Sequence, residues 1–156
     1  MRVRSCRIIG LLLLAATCVV TGLFPAKARA RETHRGTKPF AAFTADLERA
    51  ISAHKMGLVC LANAQNGARS IGVTIPGNQV FMVFRPDFAV RMLRADARAG
   101  IEAPLRLYVT ENPDGTATVS YRTPSEVFAP YQNAALDTMA KELDAIFARI
   151  IESALR

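Results

Sequence analysis

The stretch that decides the fold is Leu105–Arg122, LRLYVTENPDGTATVSYR. Asn112-Pro113-Asp114-Gly115 is turn chemistry: proline presets one backbone angle, and asparagine and glycine tolerate positive φ. Leu105–Thr110 and Thr116–Arg122 flank it and read as strands. Two strands joined by so short a turn must run antiparallel. Such a hairpin can leave one face in water, provided something apolar covers the other.

The cover is supplied downstream. From Asn133 to Leu155, the residues Leu136, Met139, Ala140, Leu143, Ile146, Phe147, Ile150 and Ile151 recur at helical period, which predicts a long amphipathic helix. Upstream, Val80–Phe84 is a strand of β-branched and aromatic residues. Pro86-Asp87 then opens a helix reaching about Ala99, with Gly100 behind it. Gly57–Ala64 reads as a buried strand, and Ala68–Gly72 as a short helical turn ending in glycine. A first strand is expected over Lys38–Phe43. Thr44 then reads as the cap of a helix carrying Leu47, Ala50, Ile51 and His54 on one face, with Gly57 closing it. The order β-α-β-turn-β-α-β-β-α predicts an α+β fold, a mainly antiparallel sheet with helices packed on one face as a two-layer sandwich.

The amino-terminal 30 residues are of another kind. Arg2, Arg4 and Arg7 precede an apolar run from Ile8 to Phe24, and Ala28-Arg29-Ala30 follows as a small-x-small site. This is the layout of a secretory signal peptide cut after Ala30. An uncleaved anchor is the alternative, although the run is short against the ~20 apolar residues of a membrane span. Leu14–Cys18 is a poor lipoprotein box, because Thr17 precedes the cysteine. The expectation is an exported, periplasmic protein. Residues 31–38 read as a loose segment, and 39–156 as one domain.

Processing changes the charge. Five of the 20 Lys and Arg precede the cut and all 13 Asp and Glu follow it, so 15 basic residues face 13 acidic ones. The processed chain carries +2 rather than +7, which gives no support to nucleic-acid binding. Cys6 and Cys18 leave with the signal, so Cys60 has no partner for an internal disulfide. In Leu58-Val59-Cys60-Leu61 it reads as a buried small hydrophobe.

The order of these pieces resembles the DUF302 family, a bacterial domain of unknown function. The resemblance rests on Ala68-x-x-x-Gly72, on Val80–Phe84 ending before Pro86, on Pro104–Val109, Glu111, Asp114-Gly115, and on Val119-Ser120-Tyr121-x-x-Pro124. It covers about Thr44 to Pro124. It implies a compact sandwich of the kind seen in TATA-box-binding protein, with a dimer as one form. There are departures. Where the family has Phe-Gly-Asn-Pro, this chain has Phe84-Arg85-Pro86, and the family's Leu-Pro is Ala103-Pro104. The resemblance carries over no catalytic residues.

Five arginines, Arg85, Arg91, Arg94, Arg98 and Arg106, crowd the span from Phe84 to Val109. On a continuous helix, Arg91, Arg94 and Arg98 share one face, and Phe88, Met92, Ala95 and Ala99 another. Asp87 is placed to pair with Arg91, and Glu102 with Arg98. Arg94 and Arg85 are left without local partners. A guanidinium fork suits carboxylate or phosphate. The candidate ligand-binding set is therefore Arg85, Arg91, Arg94, Glu111 and Tyr121, with a small anionic ligand or another envelope protein as partner. No metal or cofactor is expected: there is no CxxC, HExxH, Walker loop or GxGxxG, and His54 reads as a helix-end histidine. Two other readings stay open. One is an enzyme with a dispersed site using Cys60 or His54. The other is a structural homodimer in which the carboxy-terminal helix packs on its copy.

Overall fold

The hairpin is the centre of the molecule. In the computed structural model, which describes residues 31–156, Leu105–Glu111 and Thr116–Tyr121 are adjacent strands near the middle of a five-stranded sheet. The elements in chain order are β1 (Glu32–Pro39), α1 (Phe40–Ala53), β2 (Gly57–Asn63), α2 (Ala64–Ser70), β3 (Asn78–Phe84), α3 (Pro86–Ala95), β4 (Leu105–Glu111), β5 (Thr116–Tyr121), α4 (Pro124–Phe128) and α5 (Ala134–Leu155). Short 3-10 turns occupy Ala97–Glu102 and Ala129–Tyr131. The strand order is β1-β5-β4-β3-β2 and every neighbouring pair is antiparallel. The expected signal segment and its cleavage site lie outside the described residues.

β1 and β2 are consecutive strands on opposite edges, so α1 must cross a whole face of the sheet. α5 lies beside it on that face. Strand alternation then decides what is buried. Leu105, Leu107 and Val109 of β4 and Ala117, Val119 and Tyr121 of β5 point under the helices, while Arg106, Tyr108, Thr118 and Ser120 point away. Phe43, Phe81, Phe128 and Phe147 are fully buried in this layer. Each stabilises the fold by roughly 1.5–3 kcal/mol relative to exposure. The architecture is the expected α+β sandwich.

The start of α5 is set by Asn133. Its side-chain oxygen accepts from the Ala135 and Leu136 N–H groups, and its amide donates to Ala95 O at 3.0 Å, fastening α5 to the end of α3. The apolar face of α5 is buried within the chain, against α1, α4 and the sheet. It is therefore not free to pack on a copy of itself.

Several local expectations are corrected. Residues 32–39 are a strand paired with β5, not a loose segment, so polar residues on an edge had hidden it. α1 begins at Phe40, and Thr44 lies inside it, donating to Ala41 O instead of capping. The helix closes at Lys55, whose φ is 60°, two residues before Gly57. α3 stops at Ala95 because Asp96 is extended and its carboxylate accepts from Arg98 N–H. β2 is an exposed edge strand, and Cys60 is exposed on it.

Candidate functional site

Two arginines at α3, Arg85 at its cap and Arg91 within it, have found carboxylates. Arg85, the residue before Pro86, donates Nε and Nη2 to Asp87 at 2.7 and 3.0 Å, and its guanidinium lies 4.1 Å from the Phe88 ring centroid. Arg91 makes a fork-to-fork pair with Glu142 of α5, both distances 2.7 Å, and stands 5.1 Å from the same ring. Phe88 is buried and forms a platform under both cations, which favours them electrostatically. The Arg85 hydrogen bond holds the Asp87 carboxyl below its ordinary range, and Arg91 does the same to Glu142. The expected Asp87–Arg91 pair is thus replaced by one within the loop and one across helices. Because α3 ends early, Arg98 pairs with Asp96 at 2.7 Å and not with Glu102. Arg94 is exposed, and no ion pair to it is formed among the described residues.

The other two residues of the candidate set are elsewhere. β4 runs antiparallel to β3, so Glu111 is at the opposite end of the sheet from Arg85. Its carboxylate accepts from Gly77 N–H at 2.6 Å while its own N–H donates to Gly77 O at 2.8 Å. This two-way clamp fixes the turn into β3. Gly77 packs on Phe40 so tightly that a Cβ there would come within 2.4 Å of the ring's edge. Tyr121 is buried at the far end of β5, with its ring 5.8 Å from Phe147 and stacked on His34 at 6.2 Å. Burial raises its pKa, helped by Glu32 and Asp144. The five residues therefore form three separate groups. Cys60 and His54 do not meet either: Cys60 is on the open face, and His54 Nε2 lies 2.9 Å from Ser153 Oγ in the helical layer.

A different arginine group does converge. Continuing the β1–β5 ladder by one step and the β4–β5 ladder by two sets Arg31 and Arg106 opposite Arg122. Three cations thus make one row across neighbouring strands of the open face. Like charges directly opposite one another destabilise a sheet. They line a basin of about 590 Å³ together with Glu102, Tyr108, Ser120 and Tyr121. Glu102 is the sole carboxylate of that lining. Its oxygens accept from Arg122 at 3.4 Å and from the Tyr131 hydroxyl at 3.2 Å. Arg31 and Arg106 have no acidic partner among the described residues. Tyr108 is steadied by Asn78, which donates to its hydroxyl at 2.6 Å. Of the residues named from sequence, Tyr121 borders this basin, but its ring is turned into the helical layer against Phe147. Arg106 was counted among the crowded arginines but not placed in a site, and Arg31 and Arg122 were missed. The hairpin register alone would have put Arg106 opposite Arg122.

Among the described residues, no three His, Cys, Asp or Glu gather so as to hold a metal, and no helix is long and apolar enough to cross a membrane.

The model of the "Domain of unknown function DUF302" matches residues 32–154. The chain belongs to the DUF302 family. The matched region takes in β1 and most of α5, beyond the Thr44–Pro124 span that carried the resemblance. A solved structure described as "uncharacterized conserved protein DUF302 from Bacillus stearothermophilus" shares this fold, with a TM-score of 0.73 and 18% identity over 83% of this chain and 100% of that one. No curated protein matches the chain. In this DUF302 domain the arginine row lies on the sheet face opposite the helices.

Proposed function

We propose that this DUF302 domain is an exported, non-enzymatic binding module that holds a small anionic ligand in the basin over β4 and β5. The observation that carries the reading is the arginine row: of three guanidinium groups on adjacent strands, only Arg122 has a carboxylate partner among the described residues. A bound carboxylate or phosphate would neutralise the excess and accept from the forks bidentately. Tyr108 and Ser120 would add neutral hydrogen bonds at the basin wall. Ser120 Oγ sits 3.3 Å from Thr33 Oγ1 rather than beside an imidazole or carboxylate, which favours holding an anion over activating a nucleophile. The depression is in the size range of small-molecule sites. Export rests on the arginine, apolar and small-x-small segments before Arg31.

The test is native mass spectrometry of the protein recovered from the periplasm after expression with its own leader, followed by calorimetric titration with inorganic phosphate and with citrate. The expected result is a chain beginning at Arg31 that carries an extra mass lost on denaturation, or that binds one of the two anions. Arg106→Ala should weaken that binding at least tenfold. A bare protein that binds neither anion, or binding unchanged in Arg106→Ala, overturns the assignment. A chain that stays in the cytoplasm overturns export separately.

A further inference from the structure

β1 is polar on both sides, and the side under the helices is not fully covered. Its register sets Glu32 opposite Tyr121 and His34 opposite Val119, so these two side chains project into the helical layer beside Tyr121 and Val119. α5 presents Asp144, Ala148, Ile151 and Leu155 toward them, at the three- and four-residue spacing of one helix face. Between that stripe and β1 lies a cleft of about 470 Å³. Among the described residues, no Lys or Arg lines it. Lys38, further along β1, is paired with Asp46, and Glu152, at the carboxy-terminal end of the cleft, is paired with Arg156.

One polar group in the cleft is left over. Tyr121 is only 7% exposed, and its hydroxyl makes no hydrogen bond among the described residues. Every fully buried side-chain N or O there has a partner, so this oxygen must reach the cleft space. Besides burial, the charges of Glu32 and Asp144 raise the Tyr121 pKa, which sets both carboxylates near its hydroxyl. Glu32 meets His34 Nε2 at 3.7 Å, too long for a hydrogen bond. Asp144 accepts from the Ser125 N–H at 2.9 Å and from the Ser125 hydroxyl, and a carboxylate has lone pairs to spare beyond these.

We propose that the cleft between β1 and α5 binds a small alkylamine, its ammonium group held by Glu32, Asp144 and the Tyr121 hydroxyl. These are three acceptors around one space, and a primary ammonium brings three N–H donors to them. No three His, Cys, Asp or Glu side chains of the described residues gather so as to hold a metal ion. The cation that fits is therefore one that collects its partners singly, through hydrogen bonds. The alkyl chain behind it lies along Ala148, Ile151 and Leu155, where each methylene removed from water adds to binding. The nearly buried hydroxyl gains the partner it lacks, which offsets the cost of leaving it unpaired. This site opens on the helical side of the sheet, takes a ligand of opposite charge to that of the arginine basin, and does not rest on the basin being occupied.

The test is a nuclear magnetic resonance titration of the purified protein with butylammonium chloride at neutral pH, with butanol and butyrate run in parallel. Butylammonium should produce saturable shifts at Glu32, Tyr121 and Ala148, and the other two compounds should not. Glu32→Gln and Tyr121→Phe should each weaken butylammonium binding about tenfold or more. Both keep the size of the side chain, and circular dichroism checks that the fold is kept. If Tyr121→Phe fails to fold, Glu32→Gln decides alone, because the Glu32 side chain is 54% exposed and a neutral replacement leaves the core untouched. Absent binding, binding matched by butanol, shifts that fall outside the cleft, or an affinity unchanged in either folded variant overturns the proposal.

Discussion

Two groups of arginines occupy this small domain, and they differ in who neutralises them. On α3, Arg85 and Arg91 each hold a carboxylate and share an aromatic platform. On the open sheet, Arg122 reaches Glu102 while Arg31 and Arg106 have no acidic partner among the described residues. Crowding in sequence marked the first group, and crowding in space marks the second. A cluster closed by its own carboxylates is a structural device, and a cluster left open is a candidate for binding. The comparison can be broken by experiment at either side.

The largest effect should come from the platform. Phe88 is buried and contacts both cations. Phe88→Ala should cost about 3–5 kcal/mol, from lost burial and the cavity left behind. Denaturant unfolding checks it. A cost like that of a surface substitution would mean that the α3 group is not the closed structural unit described above.

Glu111 comes next. Removing its carboxylate leaves the buried Gly77 N–H without an acceptor. Glu111→Ala should lose about 1–3 kcal/mol of stability, while phosphate or citrate binding stays as in the wild type. Lost binding with intact stability would return Glu111 to the ligand site.

The direct comparison exchanges single arginines between the groups. Arg91→Ala should lower the melting temperature modestly and leave anion binding unchanged, because its pair with Glu142 is half-exposed. Arg106→Ala should leave the unliganded melting temperature unchanged or raise it slightly, because it relieves the arginine row. It should also remove the rise in melting temperature that phosphate or citrate produces. If both substitutions act alike on both readouts, the distinction between closed and open groups fails.

Much of the fold was legible because it rested on local chemistry. Asn112–Gly115 announces the hairpin, Val80–Phe84 a central strand, and Asn133 with its apolar period the long helix. What failed depended on contacts that local pattern does not carry. β1 alternates charged and polar residues, and only its pairing with β5 shows it to be a strand. Cys60 sits in an apolar run, but the sheet ends at β2 and leaves it exposed. α3 was read too long because Asp96 prefers to hold the Arg98 backbone, and the arginine faces drawn on the longer helix moved with it. The basin needed two ladders at once. One follows from the hairpin turn, and the other requires β1, whose polar sequence does not announce a strand.

The smallest prediction concerns an arginine of the open face that is already neutralised. Asp114 accepts from the Thr116 side chain and backbone and from Arg35, and these hydrogen bonds lower its pKa from 3.8 to about 2, with the Thr116 hydroxyl the largest cause. A carboxyl depressed in the folded state contributes stability above its unfolded value, and that contribution is lost as pH falls toward the folded value. The window is therefore from 3.8 down to about 2. Above it, Asp114→Asn should be slightly less stable than the wild type, because the charge that holds Arg35 is gone. Inside it, the gap between the two proteins should close. The same substitution converts a closed arginine on this face into an open one without adding a cation. Arg35 lies four residues from Arg31 along β1, roughly 13 Å in a strand, too far for a small anion to bridge. Phosphate and citrate affinity at neutral pH should therefore stay within a factor of about two of the wild type, the small rise coming from long-range attraction that salt screens. A tenfold rise would mean that the basin extends along β1 and that openness, not position, governs where the anion sits.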